Sequence, residues 1–396
     1  MLCIIIIIII IASPHHAYRF RFRAFFLLAS SRCSACRGGS HAYKRKMPSI
    51  KPGDTVAVTG ANGLVASHCI KLLLAKGFNV VACVRDPKNE AKVKHLRDLA
   101  EESTGNIVFA KASLDVDGSY DDAFEGADAV IHTAARVHEQ WSVALLDSHI
   151  QGTTRVVDSA KRSKTLKRFI QTSSIAAIID PFVHQKDPNH IFTESDFNQT
   201  EDPSVTGDFY GYAKRVAEKI AVDAGADESS SFDTVVINPG VVIGESLCKA
   251  HTKASPVFIR QIIYGNEQPE LFFSWCDAEN VAQAHFEALV RDDASQAPGR
   301  FIIANEFHGT VTDVLPKMEK LFPEYQMAAV TTPWWKKALQ YFFLNSYQYA
   351  MLASRIKVDG NLATKRLGIK YCSMEESLKR TVESMVDKGY VKPKKL

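Results

Sequence analysis

Thr59-Gly60-Ala61-Asn62-Gly63-Leu64-Val65-Ala66 sets two glycines three residues apart, directly after the short run Val56–Thr59 and directly before the apolar-periodic stretch Leu64–Lys76. A glycine turn between a strand and a helix fits few folds. Gly60 permits the tight turn, Gly63 lets backbone amides approach an anion, and Ala66 keeps the helix close to the sheet. The helix N-terminus itself favours a phosphate. The turn therefore predicts a dinucleotide site at the first strand–helix junction, with Gly60, Asn62, Gly63, Leu64 and Val65 as its contacts.

The same alternation continues down the chain. Asn79–Val84, Ile107–Ala110, Ala129–His132, Arg168–Thr172 and Thr234–Ile237 read as strands, and Ala91–Leu99, Asp147–Ser163 and Tyr210–Ala224 as helices. That order predicts an α/β fold, a Rossmann-type doubly wound parallel sheet. After Asn238-Pro239-Gly240 the alternation breaks down. The expected organisation is a leader over residues 1–50, a dinucleotide-binding domain over 51–240, and a smaller C-terminal substrate-binding lobe over 241–396. Arg300–Ala304 is a candidate strand returning to the sheet. Within the lobe, Pro333 followed by Trp335, Ala338, Leu339, Phe342 and Phe343 predicts an amphipathic helix. It reads first as packing on the lobe's own core, with a lid over an apolar or aromatic substrate and docking on a membrane surface as the alternatives.

The whole-chain charge of +4 is unevenly spread. Residues 1–53 carry nine lysines and arginines and no acid, which leaves the remainder at −5. A mildly acidic body argues against a nucleic-acid partner. The isoleucine run Ile4–Ile11 is too short for a comfortable membrane span, which needs about 20 residues. Met47 stands just before the first strand, so the 46 residues ahead of it read as a dispensable presequence or a start placed too early. Their Arg-rich, acid-free composition keeps organelle targeting or membrane association as alternatives to a cytoplasmic location. Five cysteines (Cys69, Cys83, Cys248, Cys276, Cys372) are scattered through the body, as in a reducing compartment. Neither they nor the thirteen histidines show metal-ligand spacing, and no metal is expected.

The end of the second strand selects the dinucleotide. An acid there would bind free ribose hydroxyls, but this chain has Val84-Arg85-Asp86-Pro87-Lys88, with Lys92 a turn later. Arg85 can form a charge-assisted fork on a 2′-phosphate, which favours NADP(H). Tyr210 and Lys214 lie four apart, on one helical face. A free phenol titrates near about 10, and an ammonium one turn away favours the phenolate, so this pair suits proton transfer to a carbonyl oxygen. Ser174 follows the strand Arg168–Thr172, at the carboxyl end where such sheets place chemistry. Ser174, Tyr210 and Lys214 are the predicted catalytic residues. The substrate is then a small carbonyl or alcohol, and monomer and homodimer both stay open.

Thr-Gly-Ala-Asn-Gly-Leu-Val-Ala at 59–66, Val-Arg-Asp-Pro at 84–87, Thr-Ser-Ser at 172–174, Tyr-Gly-Tyr-Ala-Lys-Arg-Val-Ala-Glu at 210–218 and Asn-Pro-Gly at 238–240 are joined by Ala-Thr-Lys-Arg-Leu-Gly-Ile-Lys at 363–370. Jointly they resemble the extended short-chain dehydrogenase/reductase superfamily, and within it the dihydroflavonol reductase-like branch that includes cinnamoyl-CoA, methylglyoxal and other aldehyde reductases. The resemblance implies an NADP-dependent carbonyl reductase, with Ser174, Tyr210 and Lys214 as catalytic triad. It also implies Arg85 and Lys92 on the 2′-phosphate, and Tyr210, Lys214 and Pro239 as further cofactor contacts. A 3β-hydroxysteroid dehydrogenase or nucleotide-sugar epimerase of the same superfamily, and a non-catalytic NADP-binding redox sensor, are the rival readings. Some positions depart from the pattern. Ala112-Ser113-Leu114 lacks the usual acid, His149 stands where many members have Asn, and Asn-Trp-Tyr-Cys-Tyr-Gly is absent.

Overall fold

The computed structural model describes residues 49–135, 143–268, 270–327, 330–331 and 344–396. Most of the leader and the helix expected after Pro333 lie outside these residues. From the amino end, β1 (Thr55–Thr59), α1 (Leu64–Ala75), β2 (Asn79–Val84), α2 (Glu90–Glu101), β3 (Asn106–Lys111), α3 (Asp121–Phe124), β4 (Ala129–His132), α4 (Val143–Arg162) and β5 (Arg168–Thr172) alternate strand and helix. A longer excursion holds α5 (Pro181–Lys186), β6 (Ile191–Phe192), α6 (Pro203–Thr206) and α7 (Phe209–Ala226) before β7 (Asp233–Pro239). Then follow β8 (Val241–Ile243), α8 (Val257–Tyr264), β9 (Glu267–Gln268), β10 (Phe272–Asp277), α9 (Ala278–Val290), β11 (Arg300–Ile303), β12 (His308–Thr310) and α10 (Val311–Leu321).

The main sheet has seven strands in the order β11-β7-β5-β4-β1-β2-β3. All six pairings are parallel. Burial on both faces explains why these strands read as continuous apolar runs rather than alternating ones. Along β1, Val56 and Val58 enter one core with Ile70, Leu73 and Leu74 of α1, while Ala57 enters the other with Val156, Val157 and Phe169. The chain moves from β1 outward to β3, then returns to place β4 on the other side of β1. This reversal opens a crevice at the carboxyl ends of β1 and β4, where doubly wound sheets bind ligands.

The break at residue 241 does not divide the fold cleanly. α9 packs against α1, and β11 pairs with β7, so residues 278–303 sit with the dinucleotide-binding unit. Their signal is weak because Phe272–Asp277 runs straight into α9, with Asp277 both ending the strand and capping the helix through Glu279 N. A separate core joins Ile259, Ile262, Trp275, Val314, Met318, Leu378 and Val382. Trp275 is fully buried and donates its indole N–H to Gly309 O at 3.0 Å. No helix among the described residues is long and apolar enough to cross a membrane.

Candidate active site

A cleft of about 550 Å³ lies over the β1–β4 reversal. Gly60, Asn62, Gly63, Leu64, Val65, Arg85 and Lys92 all line it. Gly60 has φ +63°, and a Cβ there would stand 2.9 Å from Ala134 Cα. Only glycine combines that backbone with so close an approach. Arg85 and Lys92 are exposed at the rim. Asp86 turns its carboxylate to its own turn, where Oδ1 accepts from Lys88 N at 3.1 Å, and no Arg85–Asp86 ion pair occurs among the described residues. Cys83, Asp115, Tyr120, Thr133, Ala254 and Ser255 also line the cleft and were not expected. Asp115 supplies a carboxylate two residues beyond Ser113, where the sequence pattern lacks its usual acid.

Tyr210, Lys214, Ser174 and Pro239 are not among the lining residues; Thr172, two residues before Ser174, is the link to them. Ser174 is half-buried and caps the 3-10 turn Ile175–Ala177, its Oγ accepting from Ala176 N at 3.2 Å. That turn packs on α7. Tyr210 and Lys214 occupy the first turns of α7, with Lys214 Nζ 5.9 Å from the Tyr210 ring centroid. Lys214 is buried and Tyr210 half-buried. The helix starts here because Asp208 caps it, Oδ1 accepting from Gly211 N at 2.8 Å. A side chain at Gly211 would collide with that carboxylate. Such a cap is worth about 1 kcal/mol.

Several neighbours of the trio were not legible as site residues. Asn238, near the end of β7, donates its amide both to Ser174 O at 3.1 Å and to Glu218 Oε2 at 2.9 Å. Glu218 in turn pairs with Arg300 of β11 at 2.5 Å. His132, ending β4, shares a 2.7 Å hydrogen bond between its Nδ1 and Thr59 Oγ1. Its Nε2 is buried with no hydrogen-bond partner among the described residues. Burial, then the Lys214 charge, then His149 lower the His132 pKa to about 3, so this ring is neutral near pH 7. Tyr347 hydrogen-bonds the Asp208 carboxylate; burial first, then Asp208 and Asp180, push its phenol upward. It brings the segment 346–353 alongside Tyr210. Asp208 itself is raised by burial, against the bonds it accepts from Asn198, Gly211 and Thr200.

Residues 56–304 match the NAD dependent epimerase/dehydratase family. Cinnamoyl-CoA reductase CAD2 of Medicago truncatula is 30% identical over 347 residues, covering 87% of this chain and 99% of that one. Cinnamoyl-CoA reductase 1 of Arabidopsis thaliana is 31% identical, with 86% and 92% covered. Among solved structures, Gre2 from Candida albicans in complex with NADPH is 25% identical, with a TM-score of 0.67 over 84% of this chain and 99% of its own. The match extends over most of the chain and takes in both the glycine turn and the Tyr–Lys helix. The chain therefore belongs to the NAD dependent epimerase/dehydratase family, within the extended short-chain dehydrogenase/reductases, as an NAD(P)-dependent oxidoreductase.

Proposed function

We propose that the chain reduces an aldehyde or ketone carbonyl with NADPH, with Tyr210 as proton donor. The observation that carries this is the trio itself: Tyr210 and a buried Lys214 one turn apart at the capped start of α7, beside Ser174 at the carboxyl end of β5. The residues present fit the dinucleotide. Gly60, Gly63 and the α1 N-terminus suit its pyrophosphate, and Arg85 and Lys92 suit a 2′-phosphate. When bound, NADPH supplies the hydride. Ser174 Oγ orients the substrate oxygen by donating to it. Tyr210 passes its phenolic proton to the oxygen as the carbonyl becomes an alcohol. Lys214 stabilises the phenolate left behind and would hold the nicotinamide ribose. Pro239, closing β7, would contact the nicotinamide end. The lobe built on β8, β10, β12 and the helix Met374–Asp387 forms the substrate side.

The relatives' names set the first substrate panel: cinnamoyl-CoA, a dihydroflavonol and methylglyoxal, alongside simple aldehydes. Turnover is followed by the loss of NADPH absorbance. Tyr210→Phe removes the donor hydroxyl and little volume. It should abolish turnover while NADPH binding stays nearly intact. Full activity in that variant would remove Tyr210 from the mechanism and revive the redox-sensor reading.

A further inference from the structure

We infer that His95, Cys248 and His251 form a binding site for a zinc-class divalent metal ion, beside the dinucleotide cleft. Each offers one ligand atom, and the three atoms lie within 4.8 Å of one another. His95 comes from α2, while Cys248 and His251 flank Lys249-Ala250 after β8. Nitrogen and sulfur ligands with no carboxylate suit Zn²⁺ or Co²⁺ rather than Mg²⁺ or Ca²⁺. At bond lengths of about 2.0–2.3 Å, tetrahedral ligand atoms stand roughly 3.3–3.7 Å apart. Closing the site therefore needs a contraction of roughly 1 Å, available to the half-buried His95 ring on its helix surface.

The surroundings orient the three side chains. Ser67 Oγ gives its proton to Ala61 O at 3.1 Å and so accepts from His95 Nε2 at 3.0 Å, which leaves the lone pair on His95 Nδ1. A ligating histidine is held in this way by its other nitrogen. His251 Nδ1 accepts from Leu247 N–H at 3.2 Å and Nε2 stands 3.3 Å from Asn62 O, so a metal at either nitrogen would take the place of one of these two contacts. Burial keeps both imidazoles neutral near pH 7. Burial raises the Cys248 thiol, opposed by the nearby backbone N–H groups of Ala250 and His251. Metal binding would send the Cys248 proton to solvent, so affinity should rise with pH. Lys388, a cation whose charge acts on all three side chains, has its ammonium paired with Glu245 Oε1 at 3.0 Å.

The location gives the ion a consequence. α2 carries Lys92, the loop after β8 carries Ala254 and Ser255, and Asn62 belongs to the glycine turn; all four residues line the cleft. An ion would tie these three segments together. By linkage, whatever factor it adds to NADPH affinity, NADPH adds to metal affinity.

The test uses the full chain with Cys33→Ser and Cys36→Ser in every sample, which removes the leader's own Cys-x-x-Cys. Titration with Co²⁺ without nucleotide should give one ion per chain, a thiolate-to-cobalt charge-transfer band and the intense visible bands of tetrahedral cobalt. Cys248→Ala should lose the charge-transfer band. His95→Gln, on a helix surface where folding is little at risk, should weaken binding by about tenfold or more. Absence of the thiolate band in the parent, its survival in Cys248→Ala, or parental affinity in His95→Gln would overturn the site. Circular dichroism of each variant shows whether its fold is retained. Should Cys248→Ala not fold, His95→Gln decides.

Discussion

Removing one member of the Glu218–Arg300 pair should cost far more than removing both. The two side chains are 3% and 5% exposed, and Arg300 Nε lies 2.5 Å from Glu218 Oε1. At an effective dielectric near 20, that separation is worth about 6–7 kcal/mol of attraction. Desolvating two ions costs several kcal/mol each, so the intact pair is roughly neutral relative to an apolar replacement. A lone survivor keeps its desolvation cost and loses the attraction. Arg300→Met should therefore destabilise by about 3–5 kcal/mol, a factor of roughly 10²–10⁴ in the folding constant. It also surrenders the bonds Arg300 gives to Glu194 O at 2.7 Å and Asp196 O at 3.0 Å. Glu218→Gln is no gentler in principle. Its amide has one acceptor, and both Asn238 Nδ2 and the guanidinium need one. The double variant Glu218→Leu/Arg300→Met should recover to within about 1–2 kcal/mol of the parent. Urea unfolding of the four proteins closes the double-mutant cycle. Single costs below about 1 kcal/mol that simply add in the double variant would refute the reasoning. Because Asn238 links Glu218 to Ser174 O, the single variants should also lower kcat at saturating NADPH.

Arg85→Asp should weaken NADPH by roughly 10–100-fold, the loss of a charge-assisted contact of about 1.5–3 kcal/mol, and weaken NADH much less. A parent that uses NADH at least as well as NADPH, measured by initial rates, would show Arg85 to be an ordinary surface charge. Acid should destabilise the fold through its buried histidines. His132 and His285 fall from 6.5 to about 3 and about 4, burial being the main cause, so the unfolded chain takes up their protons first. Their contribution is complete above pH 6.5 and is lost as pH falls toward the folded values. Each should cost about 2 kcal/mol by around pH 5. An unchanged melting temperature between about pH 7 and pH 5 would contradict this.

The sheet was legible because each strand is buried on both faces and each crossover helix carries its own apolar stripe. Arg168–Thr172 and Asn79–Val84 match the observed strands to the residue. Helix starts were harder to place: α7 begins at Phe209 because Asp208, Asn198 and Thr200 build a cap that no single residue announces. Residues 278–299 were read with the lobe because their partner α1 lies far back in the sequence, whereas Arg300–Ala304 was marked as a strand returning to the sheet, where β11 pairs with β7. The cleft followed from local signals, a glycine turn and a basic strand end. Asp115, Tyr120 and Ser255 did not, since only the folded chain brings them to its wall.

The same distinction governs the chemistry. A Tyr–Lys pair one turn apart is a helical spacing and can be read from the sequence, but its electrical setting cannot. Lys214 is buried, and an ammonium there would be countered by any neighbouring cation. The nearby His132 avoids that conflict by staying neutral, a state imposed by burial and by Lys214 itself. His132 thus adds no charge of its own beside Lys214 near pH 7. The acids are arranged to suit this. Asp208 is occupied by the helix cap, Asn198 and Thr200, while Glu218, a turn beyond Lys214, is committed to Asn238 and Arg300. A mechanism that asks Lys214 to steady a phenolate depends on those commitments as much as on the trio. This is why the variants behind the site, at Glu218 and Arg300, test it as directly as those within it.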